Sequence, residues 1–321
     1  MPASLRWLCA ILVAALAWNA AAQNYPSQPI RLIAPFPPGG SVDITARLIA
    51  EPLGAQLGQR IIVDNRSGAS GNIGMEAAAR AAPDGYTLVL NTIPLVTNQA
   101  LFANLTWDPI RDFTAIGMIA TSPHVVVVPG KSPFNSVDDV VKAARASPGK
   151  LAYASAGVGT TFHLCGEVFK DTTRTFILHV PYRGGGPALL DTLAAQVDLS
   201  FPTLAAALPH VKAGTLKALA VTDLRRSSLL PGVPTLQEAG LKDFQFTQWQ
   251  ALLAPAKTPP AIVSRVNAAL NEVLKSKEIV EKFQAQAFDS FITTPDQAGK
   301  YIAEEAKRLS RVIKTKGITA D

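Results

Sequence analysis

Three glycine loops, a serine, a cysteine and four histidines are the residues of this 321-residue chain whose types and spacing could do chemistry. Two of the loops share one design. Phe36-Pro37-Pro38-Gly39-Gly40-Ser41 and Ser155-Ala156-Gly157-Val158-Gly159-Thr160 each run from a β-rich stretch, through glycine, to a hydroxyl at a predicted helix start. Glycine lets the backbone approach a ligand closely, and the hydroxyl can cap the helix or donate to an anion. Backbone N–H groups and the positive end of the helix dipole favour negative charge there, by about 0.3 to 1 kcal/mol per charged group. Tyr182-Arg183-Gly184-Gly185-Gly186 is a third loop of this type. Any one of them alone is ordinary turn-and-cap chemistry. Three of them in two regions of the chain point to an anionic ligand held between those regions.

Other chemistries find less support. None of the loops matches G-x-G-x-x-G or G-x-x-x-x-G-K-[ST], which argues against nucleotide binding. The histidines, His124, His163, His179 and His210, show no i, i+4 pairing and no cysteine partner, so neither a metal site nor any cofactor is expected. Tyr153-Ala154-Ser155-Ala156-Gly157 resembles half of a G-x-S-x-G nucleophile elbow, but Tyr153 replaces the first glycine and would crowd the turn. A secreted serine hydrolase using Ser155 with His163 or His179 is therefore the alternative reading. Cys165 sits in one turn of an amphipathic helix, where cysteine behaves as a small hydrophobe. Asp43 has two readings, a surface pair with Arg47 one turn on or a hydrogen bond near the first loop.

The elements that must position these residues follow from patterning. Residues 1 to 22 hold one Arg and no acid, a 12-residue apolar run from Trp7 to Trp18, and small residues at Ala20-Ala21-Ala22. A membrane span needs about 20 apolar residues, so this is expected to be a signal peptide cleaved near Ala22, giving an exported protein. Cleavage removes Cys9 and leaves only Cys165, which excludes an internal disulfide. With 48% hydrophobic and 17% charged residues the chain can bury real cores. The net charge of +6 comes from scattered basic residues rather than a basic face or arm, which argues against a nucleic-acid partner.

Beyond the leader, strands and helices alternate. Strands are expected at 30–34, 60–64 and 86–90, with helices from Ser41 and from Ser70 or Asn72; extended runs follow at 116–120 and 124–128. A second series begins with a capping box at Ser136, then strands near 151–154, 177–180, 197–201 and 216–221 between helices. Phe244 to Gln250 alternates as a strand, a helix capped by Thr258 starts at Pro259, and a capping box at Thr294 opens a last helix stopped by Gly317. This predicts an α/β fold of two lobes, each a mainly parallel sheet flanked by helices: residues 23–124 with 250–321, and residues 125–249. Two crossovers, near 122–130 and 240–254, would make a hinge.

The sequence also resembles a known family. Tyr25-Pro26-Ser27-Gln28-Pro29-Ile30-Arg31-Leu32-Ile33, Pro35 to Asp43, Asn65-Arg66-Ser67-Gly68-Ala69-Ser70-Gly71-Asn72-Ile73-Gly74, Ala82 to Leu88, Tyr153 to Gly157, His179 to Ala188, Leu219 to Thr222 and Pro231 to Gly240 are similar, in order, to the Bug family. These are extracytoplasmic solute receptors of tripartite tricarboxylate transporters. The resemblance implies a two-lobed periplasmic binding protein, type II-like, that closes over a small carboxylate or dicarboxylate and does no chemistry. It implies membrane permease subunits as partners, and a monomer is expected. Carried over, it nominates Phe36, Gly40 and Ser41 in the first lobe and Ser155, Gly157, Gly159 and Thr160 in the second. Tyr182, Arg183 and Gly184 would line the cleft, with Thr92 and His163 as further candidates. One departure stands out: the family commonly has Phe-Asp-Asn where this chain has Phe201-Pro202-Thr203. Loss of that carboxylate and amide, with Thr203 in their place, implies a ligand without a cationic amine.

Overall fold

The computed structural model describes residues 25–318, Asp243 excepted. The expected signal peptide lies outside the described residues. In the first sheet, β1 (Ile30–Ala34) lies between β2 (Ile61–Asn65) and β3 (Thr87–Asn91), parallel to both. Beside β3 runs the long antiparallel strand β10 (Thr247–Pro255), then β4 (Phe113–Pro123), then the short β11 (Asp289–Ser290). The second sheet has the order β7 (Leu178–Pro181), β6 (Ala152–Ser155), β8 (Leu199–Ser200), β5 (Val125–Pro129), β9 (Leu216–Val221). Here β6 is parallel to β7 and β8, while β5 is antiparallel to β8 and β9. Each sheet is thus mixed rather than mainly parallel. The parallel βα strands sit together, and the strands that carry the chain between sheets join them antiparallel.

Burial explains why the central strands form. All four valines of β5 and the Ile30, Leu32, Ile33 and Ala34 side chains of β1 are fully buried, as continuous apolar strands covered on both faces must be. Helix α1 (Ser41–Leu57) follows β1 and buries Val42, Ile49, Leu53 and Leu57; Gly58, at φ 79°, takes the left-handed conformation that ends it. Pro52 is accommodated inside this single helix. Next come α2 (Asn72–Ala79) and α3 (Pro94–Leu101). Helix α3 was not legible from periodicity: Pro94, Leu95, Val96, Thr97, Asn98 and Leu101 are all buried, so it carries no polar stripe to register against.

In the second lobe, α4 (Val137–Ala146) starts at the expected Ser136–Asp139 capping box, and α5 (Thr161–Thr173), α6 (Gly185–Leu193) and α7 (Leu204–Lys212) follow β6, β7 and β8. The chain ends with α8 (Pro260–Lys275), α9 (Lys277–Ala285) and α10 (Pro295–Lys316). The Thr294–Gln297 box and the Gly317 stop of α10 are as expected. Thr258 does not cap α8; its hydroxyl donates to Pro255 O at 2.8 Å, and Pro259 occupies the cap position. The strand expected at 244–250 begins at Thr247 and runs to Pro255, because its long pairing with β4 outweighs the polar alternation before it. Helix α10 docks on the first sheet, where the Trp249 indole donates to Glu305 at 3.0 Å.

Two crossovers join the sheets. Only His124 separates β4 from β5, and residues 222–246 return the chain from β9 to β10. The two are stitched together: His124 N–H donates to Thr222 Oγ1 at 2.8 Å, and that hydroxyl donates to Phe246 O at 2.6 Å. Among the described residues no helix is long and apolar enough to cross a membrane.

Candidate functional site

Where the sheets face each other, a pocket is lined from both lobes. The first sheet's side supplies Phe36, Gly40, Ser41, Val42, Thr92, Pro94 and Gln248; the second supplies Ala156, Thr160, Thr161, Phe162 and Gly185. Four helices begin at this space: α1 at Gly40–Val42, α3 at Pro94, α5 at Thr160–Phe162 and α6 at Gly185. Pro94 has no N–H and the next α3 N–H groups bond to Thr92 O and Ile93 O, so α1, α5 and α6 are the three that present first-turn donors. The first-turn N–H groups of a helix have no intrahelical acceptor. At none of these three does a side chain cap them. Away from the pocket, α4, α7, α9 and α10 are capped by a Ser or Thr hydroxyl, whereas α2 and α8 have no side-chain cap. What sets α1, α5 and α6 apart is that their starts converge. The first-turn donors bordering the pocket are left for something else to satisfy.

The first loop is held by charge. Asp43 accepts from Gly39 N–H at 3.0 Å, from Arg47 Nε at 3.0 Å and from Asn65 Nδ2 at 3.0 Å, and the same Asn65 amide donates to Phe36 O at 3.0 Å. Both readings of Asp43 are thus realised at once. Burial alone would raise the Asp43 carboxyl, but the Arg47 and Gly39 hydrogen bonds outweigh it and hold it below the ordinary value. The carboxylate is turned back into the loop, so it anchors the turn without occupying the pocket.

The second loop is held by neutral groups. Thr160 Oγ1 donates to Gly157 O at 2.6 Å, Gly159 N–H donates to His163 Nδ1 at 3.0 Å, and Thr97 of α3 donates across the lobes to Gly159 O at 2.8 Å. The glycines are required here. Gly159 has φ 76° and a Cβ would collide with Leu101; Gly184, at φ 133°, would collide with Pro37 of the first loop. Beneath the loop the His163 and His179 rings stack at 4.0 Å, and Tyr153 stacks on His179 at 4.9 Å. Burial lowers His163 to about 4; burial and then His163 lower His179 to about 3. Both rings are neutral at physiological pH.

The expected residues separate into groups. Phe36, Gly40, Ser41, Thr92 and Thr160 border the pocket. Thr92 already donates its hydroxyl to Trp249 O at 2.6 Å. Ser155, Gly157, Gly159, His163 and Gly184 shape the loops rather than line the space. Tyr182 is tied to Asp191 at 2.7 Å, and Arg183 is exposed. Thr203 is fully buried elsewhere: it caps α7, while Pro202 O accepts from Val125 N–H at the crossover. Sequence reasoning missed Val42, Pro94, Ala156, Thr161, Phe162, Gly185 and above all Gln248. One of several glutamines in an alternating strand carries no signal of its own, and all the others but Pro94 are immediate neighbours of residues it singled out.

The hydrolase alternative meets a real contact and fails on its surroundings. Ser155 Oγ and His179 Nε2 lie 2.6 Å apart. However, Ser155 is fully buried, and a ring with its pKa near 3 is a poor base at neutral pH. Cys165 is buried and unpaired by disulfide, its thiol pushed up by burial. Among the described residues no cluster of three or more His, Cys, Asp or Glu is placed to hold a metal ion.

Residues 45–318 match the family described as tripartite tricarboxylate transporter family receptor. The chain belongs to that family. It is a solute-binding receptor of the periplasmic, two-lobed kind, and not an enzyme. Protein BugT of Bordetella pertussis is 38% identical over 309 residues, covering 96% of this chain and 95% of that one. Among solved structures, R. palustris Rpa4515 with adipate superposes with a TM-score of 0.89 at 35% identity, covering 92% of this chain and 99% of that one. MatC (Rpa3494) from Rhodopseudomonas palustris with bound malate gives 0.83 at 29% identity, over 90% and 100%.

Proposed function

We propose that this receptor captures a small mono- or dicarboxylate in the pocket between its lobes and delivers it to the membrane permease subunits of a tripartite tricarboxylate transporter. The carrying observation is the convergence of three uncapped helix starts on one pocket with no ionised side chain among its lining residues. Such a site binds negative charge through N–H groups and hydroxyls. The adipate and malate in the two related structures are dicarboxylates, the ligand class this reading expects. Phe36, Gly40, Ser41, Thr160 and Thr161 form the contact set, with Thr92 and Gln248 at its border. Ser155, Gly157, Gly159, His163 and Gly184 shape the loops behind it, and Tyr182, Arg183 and Thr203 stand outside it.

The lobes on this reading are residues 23–124 with 247–321 and residues 125–246, which the pairing of β10 with β4 from Thr247 on supports. The crossovers at His124 and at 222–246 form the hinge. The protein acts as a monomer in the periplasm after cleavage near Ala22. Native mass spectrometry of protein purified from the periplasm without refolding tests these points together. The expected spectrum is a monomer beginning after Ala22 with a carboxylate metabolite bound; an unprocessed chain, a dimer or a cationic ligand would each contradict the corresponding part.

A further inference from the structure

Gln248 is a side chain that bridges the two lobes at the pocket. It lies near the start of β10, just after the second crossover, and is 2% exposed. Its Oε1 accepts from Thr161 Oγ1 at 3.0 Å, and its Nε2 donates to Ser41 Oγ at 2.8 Å. Ser41 and Thr161 are the first residues of α1 and α5, 120 positions apart and in different lobes. One carboxamide thus links the two helix starts.

The direction of these bonds has a chemical consequence. An amide can accept only at oxygen and donate only at nitrogen. Thr161 therefore spends its hydroxyl hydrogen on Gln248, whereas Ser41 accepts a hydrogen bond from Gln248 and keeps its own hydroxyl hydrogen to donate. Ser41 then adds a hydroxyl donor beside the backbone N–H groups of α1. Gln250 reinforces the arrangement by donating to Ser41 O at 3.2 Å.

We infer that Gln248 is a positioning residue for ligand capture: it orients the Ser41 hydroxyl as a donor and so directs a ligand carboxylate to the α1 end of the pocket. This rests on the carboxylate reading above. A glutamate at the same place could accept from Thr161 but, while ionised, could not donate to Ser41. Burial raises a carboxyl pKa, so the protonated form, which can donate, returns on mild acidification.

The test is titration calorimetry with adipate and malate on ligand-stripped wild type, Gln248→Met, Gln248→Glu, Ser41→Ala and the Gln248→Met/Ser41→Ala pair, each checked for folding by circular dichroism. For whichever acid binds wild type, Gln248→Met is expected to weaken binding about thirtyfold, the loss typical of leaving buried polar groups unpaired. In the Ser41→Ala background the same change should cost less than about threefold, since Gln248 acts through Ser41. Gln248→Glu should bind at least about a hundredfold more weakly at pH 7.5 and recover at least about tenfold at pH 5.5, while wild type changes less than about threefold. Equal losses in both backgrounds, or a Gln248→Glu variant whose affinity does not improve with acid, would overturn the inference while leaving the carboxylate reading intact. Wild type that binds neither these acids nor any other small carboxylate would remove the reading and this inference with it. Should Gln248→Met fail to fold, the Gln248→Glu pH profile decides alone.

Discussion

The two loops that meet at the pocket solve one problem with opposite electrostatics. Each must hold a glycine turn rigid so that a helix start faces the ligand. The first uses an ionised carboxylate, Asp43, balanced by Arg47 and the Gly39 N–H. The second uses uncharged partners, with Gly159 resting on His163, and His163 stacked on His179. What this teaches is that neither loop needs a buried cation to receive an anion. Charge in the first loop is spent on the turn, and the second keeps its titratable groups neutral by burying them. Both devices lose their hold in acid, but over different pH ranges.

The largest expected effect is therefore on acid stability. His124, His163 and His179 have folded pKa values of about 4, 4 and 3, against about 6.5 when exposed. Below pH 6.5 the unfolded chain takes up protons that the folded chain refuses, so stability falls as pH drops from about 6.5 to about 4 and then levels as the folded rings titrate. Denaturant melts across this range should show a loss on the order of several kcal/mol, because each tenfold drop in proton affinity on folding is worth about 1.4 kcal/mol and the stacked pair titrates jointly. The Asp43 contribution has the other acidic form: it is present above the ordinary carboxylate value and disappears below it. Asp43→Asn should flatten only the part of the curve below about pH 4. A curve flat from pH 7 to 4 would contradict the neutral-histidine half of the comparison.

Glycine substitutions separate the loops next. Gly159→Ala combines a left-handed backbone with a collision against Leu101, and is expected to cost about 2 to 4 kcal/mol in urea melts. Gly39→Ala has a similar φ of 85° but nothing within 4 Å, and should cost only about 1 to 2 kcal/mol. Equal costs would show that the second loop yields as readily as the first. At pH 7, Asp43→Ala should destabilise by about 1 to 3 kcal/mol, because it leaves Gly39 N–H and the Asn65 amide short of an acceptor. Smallest of all, Arg183→Ala, at an exposed position, should change stability by less than about 0.5 kcal/mol. Ligand affinity in that variant should stay within about threefold of wild type; a large loss would mean that a side-chain cation, not the helix starts, meets the ligand.

Much of this was legible in sequence because the loops are written in glycine and hydroxyl residues whose spacing has a physical reason. Ser136-to-Asp139 and Thr294-to-Gln297 announced their helices for the same cause. Sheet polarity was hidden, since βα alternation fixes the parallel strands but not how β4, β5, β9 and β10 enter. The histidine stack was hidden because its members lie 16 residues apart on a helix and a strand, outside any helical spacing. Gln248 was hidden because its role exists only when two lobes meet. Phe201-Pro202-Thr203 looked like an altered ligand contact, yet its backbone and the Thr203 cap serve the crossover, where His124 Nδ1 lies 2.7 Å from Phe201 O.

The central claim, that uncharged donors at helix starts hold a carboxylate, is tested most directly by calorimetry of ligand-stripped protein with a dicarboxylate and with its diamide of the same carbon skeleton. The expected result is saturable binding of the dicarboxylate and at least about a hundredfold weaker binding of the diamide, which lacks the negative charge that helix starts favour. A diamide, or an amino acid bearing a cationic amine, that binds as tightly as the dicarboxylate would contradict it.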